Sequence, residues 1–208
     1  MDFVLSLLLA AVVWRVLCLR YQRGHIALLA ENLSGLQLER HMETLTEGYA
    51  RAIREDSESR QLQVFDTFGQ TERTLASQLQ MLANNMQKEE ARATAICTLP
   101  FCLPFVERLL PWLTRDFRAL LRIHAAGLRH IVDNQENLSP KDRAFHLSAE
   151  LYLFQHSCHW FCKSRSVADA RLMLRHKVDH RKVLESVTER TRRAYLGWLQ
   201  GTEVKPQH

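Results

Sequence analysis

The stretch HSCHWFC, from His156 to Cys162, contains four side chains that commonly bind metal ions. These are His156, Cys158, His159 and Cys162, all within seven residues. Structural zinc is bound by thiolate and imidazole groups in tetrahedral sets of four. On an α-helix Cys158 and Cys162 share one face, and so do His159 and Cys162. The spacing is therefore compatible with a zinc site or a redox-sensing site on one side of a helix.

A complete zinc site would need ligands from elsewhere in the chain, because zinc motifs usually combine two separated ligand pairs. The other closely spaced thiols are Cys97 and Cys102. A site made of Cys97, Cys102, Cys158 and Cys162 requires their segment to fold against the helix that carries HSCHWFC. The alternative interpretation is that Cys158 and Cys162 are small buried residues beside neighbouring aromatic side chains.

Two further pairs have the spacing of ligands on one helix face, His146 with Glu150 and His176 with His180. An iron centre in a helical bundle could use such pairs, but no further pair follows His180 to complete it. We therefore interpret these as exposed helical histidines. The chain contains no Gly-rich phosphate loop, no GxSxG and no HExxH, so the sequence does not predict an enzyme or a bound cofactor.

Composition predicts which elements must position these residues. The chain is 46% hydrophobic and 25% charged, which is typical of a folded protein. Its 208 residues contain only seven Gly and five Pro, which favours long helices over tight turns. We predict an all-α fold. Five Cys at irregular spacing argue against a disulfide framework and favour a reducing compartment.

The N-terminus contains the longest apolar segment, FVLSLLLAAVVWRVLCL from Phe3 to Leu19. As a helix it would span about 25 Å, slightly less than a hydrocarbon core. We predict that residues 1–23 are a transmembrane anchor, with Trp14 and Arg15 near one interface. The alternatives are a cleaved signal peptide, which usually has positive charge before the apolar run, and a buried core helix.

Charge around this segment predicts its orientation. Arg15, Arg20 and Arg23 all lie toward or beyond its C-terminal end. Basic residues favour the cytoplasmic side of a membrane. We therefore expect a single-pass protein whose N-terminus is outside and whose remaining residues are cytoplasmic.

Residues 24–98 show helical periodicity without proline. We expect one long, coiled-coil-like helical stalk or a helical hairpin, with the polar stretch Arg51–Gln61 as its solvated middle or its turn. Short heptads could pack within the domain or against a partner helix in an oligomer, and both alternatives stay open. The candidate seam residues are Leu38, Met42, Leu45, Tyr49, Phe65, Phe68, Leu75, Leu79, Leu82 and Met86.

Residues 99–208 are expected to form a helical bundle. Its Pro-rich entry contains Pro100, Pro104 and Pro111 among large apolar residues, which we interpret as core rather than membrane contact. Three helices should follow, at about 112–133, at 140–162 and from an N-cap at Ser166 to 199. Ser139 and Pro140 supply the cap and first position of the second of these helices.

The last predicted helix is strongly basic. Residues 160–208 contain eleven basic and five acidic residues, whereas residues 24–98 contain seven basic and eleven acidic ones. Such a helix could lie against anionic lipid or expose a solvated basic face, and nucleic acid is not expected because no recognition motif accompanies the charge. The candidate lipid-facing residues are Arg171, Arg175, Lys182, Arg192 and Arg193.

Together these patterns predict a membrane-anchored helical interaction or scaffold protein that faces the cytoplasm. It would associate with itself or with a protein partner. The alternative function is a metal-binding or redox-sensing helical protein, with zinc or iron held around residues 156–162.

Overall fold

Helices account for nearly all of the secondary structure in the computed structural model, which describes residues 2–202. The predicted all-α class is confirmed at this level. The helices are α1 Asp2–Leu33, α2 Leu38–Ala52, α3 Glu58–Thr67, α4 Gly69–Met86, α5 Val106–Leu109, α6 Phe117–Val132, α7 Pro140–Cys162, α8 Arg165–His176, α9 His180–Ser186 and α10 Glu189–Gln200.

A two-stranded ribbon interrupts the helices and was not expected from the sequence. Strand β1, Ala95–Cys97, pairs antiparallel with β2, Thr114–Asp116. The register places Ile96 opposite Arg115. Three-residue strands carry too little periodicity to be recognised in a sequence. The ribbon brings together the two ends of the Pro-rich segment, residues 98–113, and holds it as a closed loop.

Helix α1 continues without a break through residue 23, where the sequence had suggested the end of the anchor. Its N-terminal half is exposed up to Leu17. Its C-terminal half packs into the domain through side chains spaced four and three residues apart. These buried residues are Cys18, Gln22, His25, Leu29 and Asn32. The predicted anchor and the domain therefore share one helix, because the apolar run merges into an amphipathic stripe without a breaking residue.

A row of stacked rings fixes α1 against α7 and α6. The His25 ring lies 4.4 Å from the Phe161 ring, and Phe161 lies 4.2 Å from Phe117, both nearly parallel. His25 also donates a hydrogen bond from Nδ1 to the Phe161 carbonyl at 2.9 Å. That carbonyl belongs to the last turn of α7 and has no partner within its own helix, so His25 caps the C-terminus of α7.

Residues 24–98 fold as the end of α1 followed by α2, α3 and α4, and not as one continuous stalk. Gly35, at φ +81°, makes the first turn. Eight of the seam residues are buried in the core, and two, Met42 and Phe68, pack against it half-buried. The eight are Leu38, Leu45, Tyr49, Phe65, Leu75, Leu79, Leu82 and Met86. The domain therefore uses the heptads for its own packing.

Glu72 lies on α4 between the seam residues Phe68 and Leu75 and is only 3% exposed. The Tyr49 hydroxyl donates to its Oε1 at 2.5 Å, and Arg143 of α7 lies 3.3 Å from its Oε2. A buried carboxylate needs such partners, because an unpaired one would cost several kcal/mol. This network ties α2 and α4 to α7.

The structure confirms the predicted start of α7. Ser139 Oγ accepts a hydrogen bond from the Asp142 amide at 3.1 Å, and Pro140 occupies the first helical position. Helix α6, in contrast, begins at Phe117 and not near Trp112. Asp116 caps it by accepting from the Arg118 amide at 2.8 Å.

The single basic helix expected after Ser166 is wrong. Three short helices, α8, α9 and α10, replace it, and the cap of α8 is Ser164. Lys177 adopts a left-handed conformation that ends α8, and Asp179 and Thr188 cap the next two helices. Asp and Thr at N-caps favour helix starts over continuation.

We expect Tyr49→Phe to lower the free energy of unfolding by about 1–3 kcal/mol, because buried Glu72 loses its hydroxyl donor. Urea unfolding of the full chain in detergent, followed by circular dichroism, measures this. Tyr152→Phe is the matched control, since its ring stacks on His176 and remains in the variant. Equal effects of the two substitutions would contradict the role of Glu72.

Candidate functional site

Helix α7 lies at the centre of the domain, and its last two turns carry HSCHWFC. Neighbouring residues on a helix are about 100° apart, so this stretch faces several directions. Cys158, His159 and Cys162 line an open groove. His156 and Trp160 point into the interior, where both are buried. The structure therefore separates His156 from the other three candidate ligands.

The groove encloses about 550 Å³ between α1, α2, α7 and α8. Its floor is apolar, with contributions from the end of α1, the start of α2 and the aromatic side of α7. This volume is within the range of roughly 300–1,000 Å³ that is usual for binding sites. The floor residues are Leu29, Leu33, Leu36, Leu38, Met42, Tyr152 and Phe154.

The two rims of the groove have opposite charge. Glu39, Glu43 and Glu47 recur every four residues on α2, line the groove and are exposed. Arg175 and His176 of α8 form the other rim. His176 is fixed there, because its Nε2 lies 2.8 Å from Gln155 Oε1 and its ring stacks 3.9 Å from Tyr152. An apolar floor between charged rims suits an amphipathic occupant.

The groove thiols have raised pKa values, which lowers their reactivity. Burial raises the pKa of Cys162 to about 11 and that of Cys158 well above its ordinary value. Both thiols are therefore protonated near pH 7, whereas the thiolate is the reactive and metal-binding form. Residues four apart on a helix are also about 5–6 Å apart at Cβ, too far for a disulfide without unwinding.

Cys97 and Cys102 lie on another side of α7. The Trp160 indole donates to the Cys97 carbonyl at 2.8 Å, and Trp160 is about 200° around the helix from Cys158. The Cys18 thiol donates to the Cys102 carbonyl at 3.8 Å. Within residues 2–202, no group of three or more His, Cys, Asp or Glu side chains could hold a metal ion. The structure therefore does not bring the four cysteines together.

Sequence reasoning missed a cluster of histidines behind the groove, of which His124 and His156 are buried and His180 is half-buried. The rings of His156 and His180 stack 4.4 Å apart. His156 Nε2 donates to Asp169 Oδ1 at 2.8 Å, and His180 Nε2 lies 3.1 Å from the Tyr195 hydroxyl. His124 Nε2 donates at 2.9 Å to Ser157 Oγ, which itself donates to the Leu153 carbonyl. Ser157 is fully buried, so this pair is not an accessible nucleophile.

The pair of His146 and Glu150 is also structural. Glu150 is 2% exposed and lies 3.4 Å from the Thr188 hydroxyl, and burial raises its pKa to about 7. His146, expected to be an exposed helical histidine, is instead half-buried and lies 2.8 Å from the Ser186 carbonyl. A Cβ on Gly127 of α6 would collide with Thr191 and come within 3.0 Å of Glu150 Oε2. These contacts bring α6, α7 and α10 together and leave no exposed ligand pair.

The basic residues predicted to face lipid are distributed over three helices. Arg171 and Arg175 are exposed on α8, and Lys182 is exposed on α9. On α10, Arg192 and Arg193 both pair with Glu189, the latter at 3.3 Å. These residues therefore do not form one basic stripe along one helix.

The exit of α1 from the domain is lined by the Pro-rich segment. The Tyr21 ring lies 5.8 Å from that of Phe105, and its hydroxyl donates to Glu107 Oε2 at 3.0 Å. Trp14, Arg15, Arg20 and Arg23 are exposed along α1. The sequence predicted that the Pro-rich segment is part of the core. Pro104 and Val106 are buried as predicted, but four large side chains are exposed to solvent, so the prediction is wrong for them. These exposed residues are Phe101, Phe105, Leu109 and Trp112.

Burial predicts acid sensitivity for the histidine cluster. Loss of solvation is the main cause that lowers the pKa of His124 to about 3 and that of His180 to about 4. It also lowers the pKa of His156 below its ordinary value, although the Asp169 carboxylate opposes this shift. The unfolded chain then binds more protons than the folded one below about pH 6.5, so the free energy of unfolding falls on acidification.

We expect His180→Gln to reduce that loss by on the order of 2 kcal/mol between pH 7.5 and 4.5. Urea unfolding at the two pH values measures the difference, and His41→Gln on α2 is the control. The pH dependence that Glu150 contributes has the opposite sign. Its pKa is raised in the folded protein, so the free energy of unfolding falls as pH rises from about 4.5 to 7. An unchanged pH dependence in His180→Gln would contradict the prediction.

Comparisons with known proteins found no similarity from which function could be transferred. No family model matches the chain, and no curated protein or solved structure matches it. Function must therefore be argued from the geometry of α1, the groove and the exit of α1.

Proposed function

We propose that the chain is a single-pass membrane protein that works by binding another protein at the membrane surface. The observation that carries the proposal is α1. This 32-residue helix has a mean hydropathy of 2.2 over its most apolar 18 residues, of which 6% are buried. A helix of that length and composition can cross a bilayer, and its low burial argues against a core helix.

The packing of α1 favours a retained anchor over a cleaved signal peptide. Signal peptides are cut shortly after their apolar run. Here the helix continues from the end of that run to Leu33, with residues between Cys18 and Asn32 buried at regular intervals, and His25 caps α7. Removal of the helix would expose Phe161, on which His25 stacks, to water. The domain needs the C-terminal half of α1 for its packing, and the N-terminal half is apolar and exposed. This combination suits a permanent anchor.

We expect the full chain to stay in the membrane fraction after alkaline carbonate extraction. Arg15, Arg20 and Arg23 favour a cytoplasmic domain, so protease added to intact cells should leave residues beyond 24 uncut. A matched variant, Leu8→Arg/Val12→Arg, puts two charges in the apolar segment and should release the protein into the soluble fraction. Release of the unaltered chain by carbonate would contradict the anchor.

The groove supports the second half of the proposal, a protein partner. Its open shape, apolar floor and the acidic row Glu39, Glu43 and Glu47 suit an amphipathic helix that carries basic residues on one side. The seam of α2 supplies Leu38 and Met42 to this floor. The partner therefore contacts the edge of the predicted seam, while most of the seam stays inside the domain.

Photo-crosslinking tests this binding mode. A benzoylphenylalanine in place of Thr46, which lines the groove, should form a discrete protein adduct in cells. Glu43→Lys/Glu47→Lys should reduce that adduct at least about tenfold by reversing the rim charge. Glu55→Lys/Asp56→Lys, in the exposed turn after α2, is the control and should leave it unchanged. An adduct of twice the chain's mass would instead indicate self-association.

A further inference from the structure

The part of α1 that projects beyond the domain is exposed along its whole described length. Cys18 is the first buried residue of the helix, so residues 2–17 project. If α1 crosses the membrane, the domain surface around its exit lies next to the lipid interface.

That surface is unusually apolar. Phe101 is 55% exposed, Phe105 40%, Leu109 66% and Trp112 67%. Their segment contacts α1 where the helix leaves the domain, through Cys18 at the Cys102 carbonyl and through Tyr21 at Phe105 and Glu107. Exposed apolar residues in a contiguous segment mark an interaction surface, and this one is continuous with the exposed face of α1.

The backbone of the segment is suited to a poorly hydrated environment. Pro100 and Pro111 are exposed, and each removes an amide donor that would otherwise need a partner at the interface. The ribbon closes the loop from both sides, since the Thr98 amide donates to the Leu113 carbonyl at 2.9 Å. The loop is therefore held in shape before any contact with lipid.

The charges around the exit have the sign expected at a headgroup layer. Arg20 and Arg23 on α1 and Arg108 on α5 are exposed. The nearby carboxylate, Glu107, has a side chain only 11% exposed and accepts from the Tyr21 hydroxyl. Basic residues beside an apolar surface are attracted to anionic lipid, whereas the acid is turned away from it.

We propose that the Pro-rich loop, residues 100–112, is a second membrane contact in which Phe101, Phe105, Leu109 and Trp112 enter the lipid interface beside α1. This rests on the proposed anchor and goes beyond it. The anchor and loop together fix the orientation of the domain, because two contacts remove the rotation that a single helix allows. The large aromatic side chains suit the interfacial layer.

Lipid photo-crosslinking of the full chain tests the proposal. The protein is placed in nanodiscs of phosphatidylcholine and phosphatidylglycerol, with benzoylphenylalanine in place of Leu109 or Trp112. The matched controls are Leu8, exposed in α1, and Leu174, which is 72% exposed on α8. We expect lipid adducts at 109 and 112 at least about tenfold above those at 174. Amide exchange of residues 98–113 should also be slower in nanodiscs than in mild detergent.

The controls separate failure of the loop contact from failure of the anchor. Lipid adducts at Leu8 together with background levels at 109 and 112 would overturn the loop contact and leave the anchor standing. Absence of lipid adducts at Leu8 would overturn both proposals. Adducts to protein at 109 and 112, from a second copy or another chain, would also overturn the loop contact.

Discussion

The docking of α1 onto the end of α7 is the interaction on which the other features depend. One imidazole, His25, both stacks on Phe161 and caps the carbonyl of that residue. The stack continues to Phe117 of α6. Because the apolar half of α1 is rigidly continuous with this docked half, a force or orientation imposed on the projecting segment is transmitted directly to α6 and α7. A flexible linker at residue 24 would have separated the two.

The side chains in the last two turns of α7 consequently lie in three different environments. One face supplies Cys158, His159 and Cys162 to the groove, another places Trp160 against the ribbon, and His156 enters the histidine cluster. His156 is explained by its hydrogen bond to Asp169, and Cys158 and Cys162 by the small apolar side chains that suit the groove. The density of ligand-type residues in seven positions arises because the helix is surrounded on nearly all sides, and a metal ion is not required.

Sequence patterns predicted those structural features that depend on interactions between residues close together in the chain. The cap at Ser139, the proline at position 140 and the apolar seam are short-range features, and α7 begins where they indicate. The division of residues 165–200 into three helices also had local signs in Asp179 and Thr188, which were outweighed by continuous helical periodicity. The histidine cluster and the groove could not be predicted, because they join residues far apart in the chain. His124 and Tyr195 of the cluster are 71 positions apart, and Leu29 and His176 of the groove are 147 positions apart.

The exposed Pro-rich loop shows why composition alone misplaced this segment. Large apolar residues are usually buried, and a kinked core segment was therefore the simpler expectation. The ribbon instead turns the loop outward beside α1, and Pro104 and Val106 alone anchor it inside. Exposure of apolar side chains to water is unfavourable both in this loop and in the projecting part of α1. The two exposed surfaces are adjacent in the fold, so a single apolar environment can cover both.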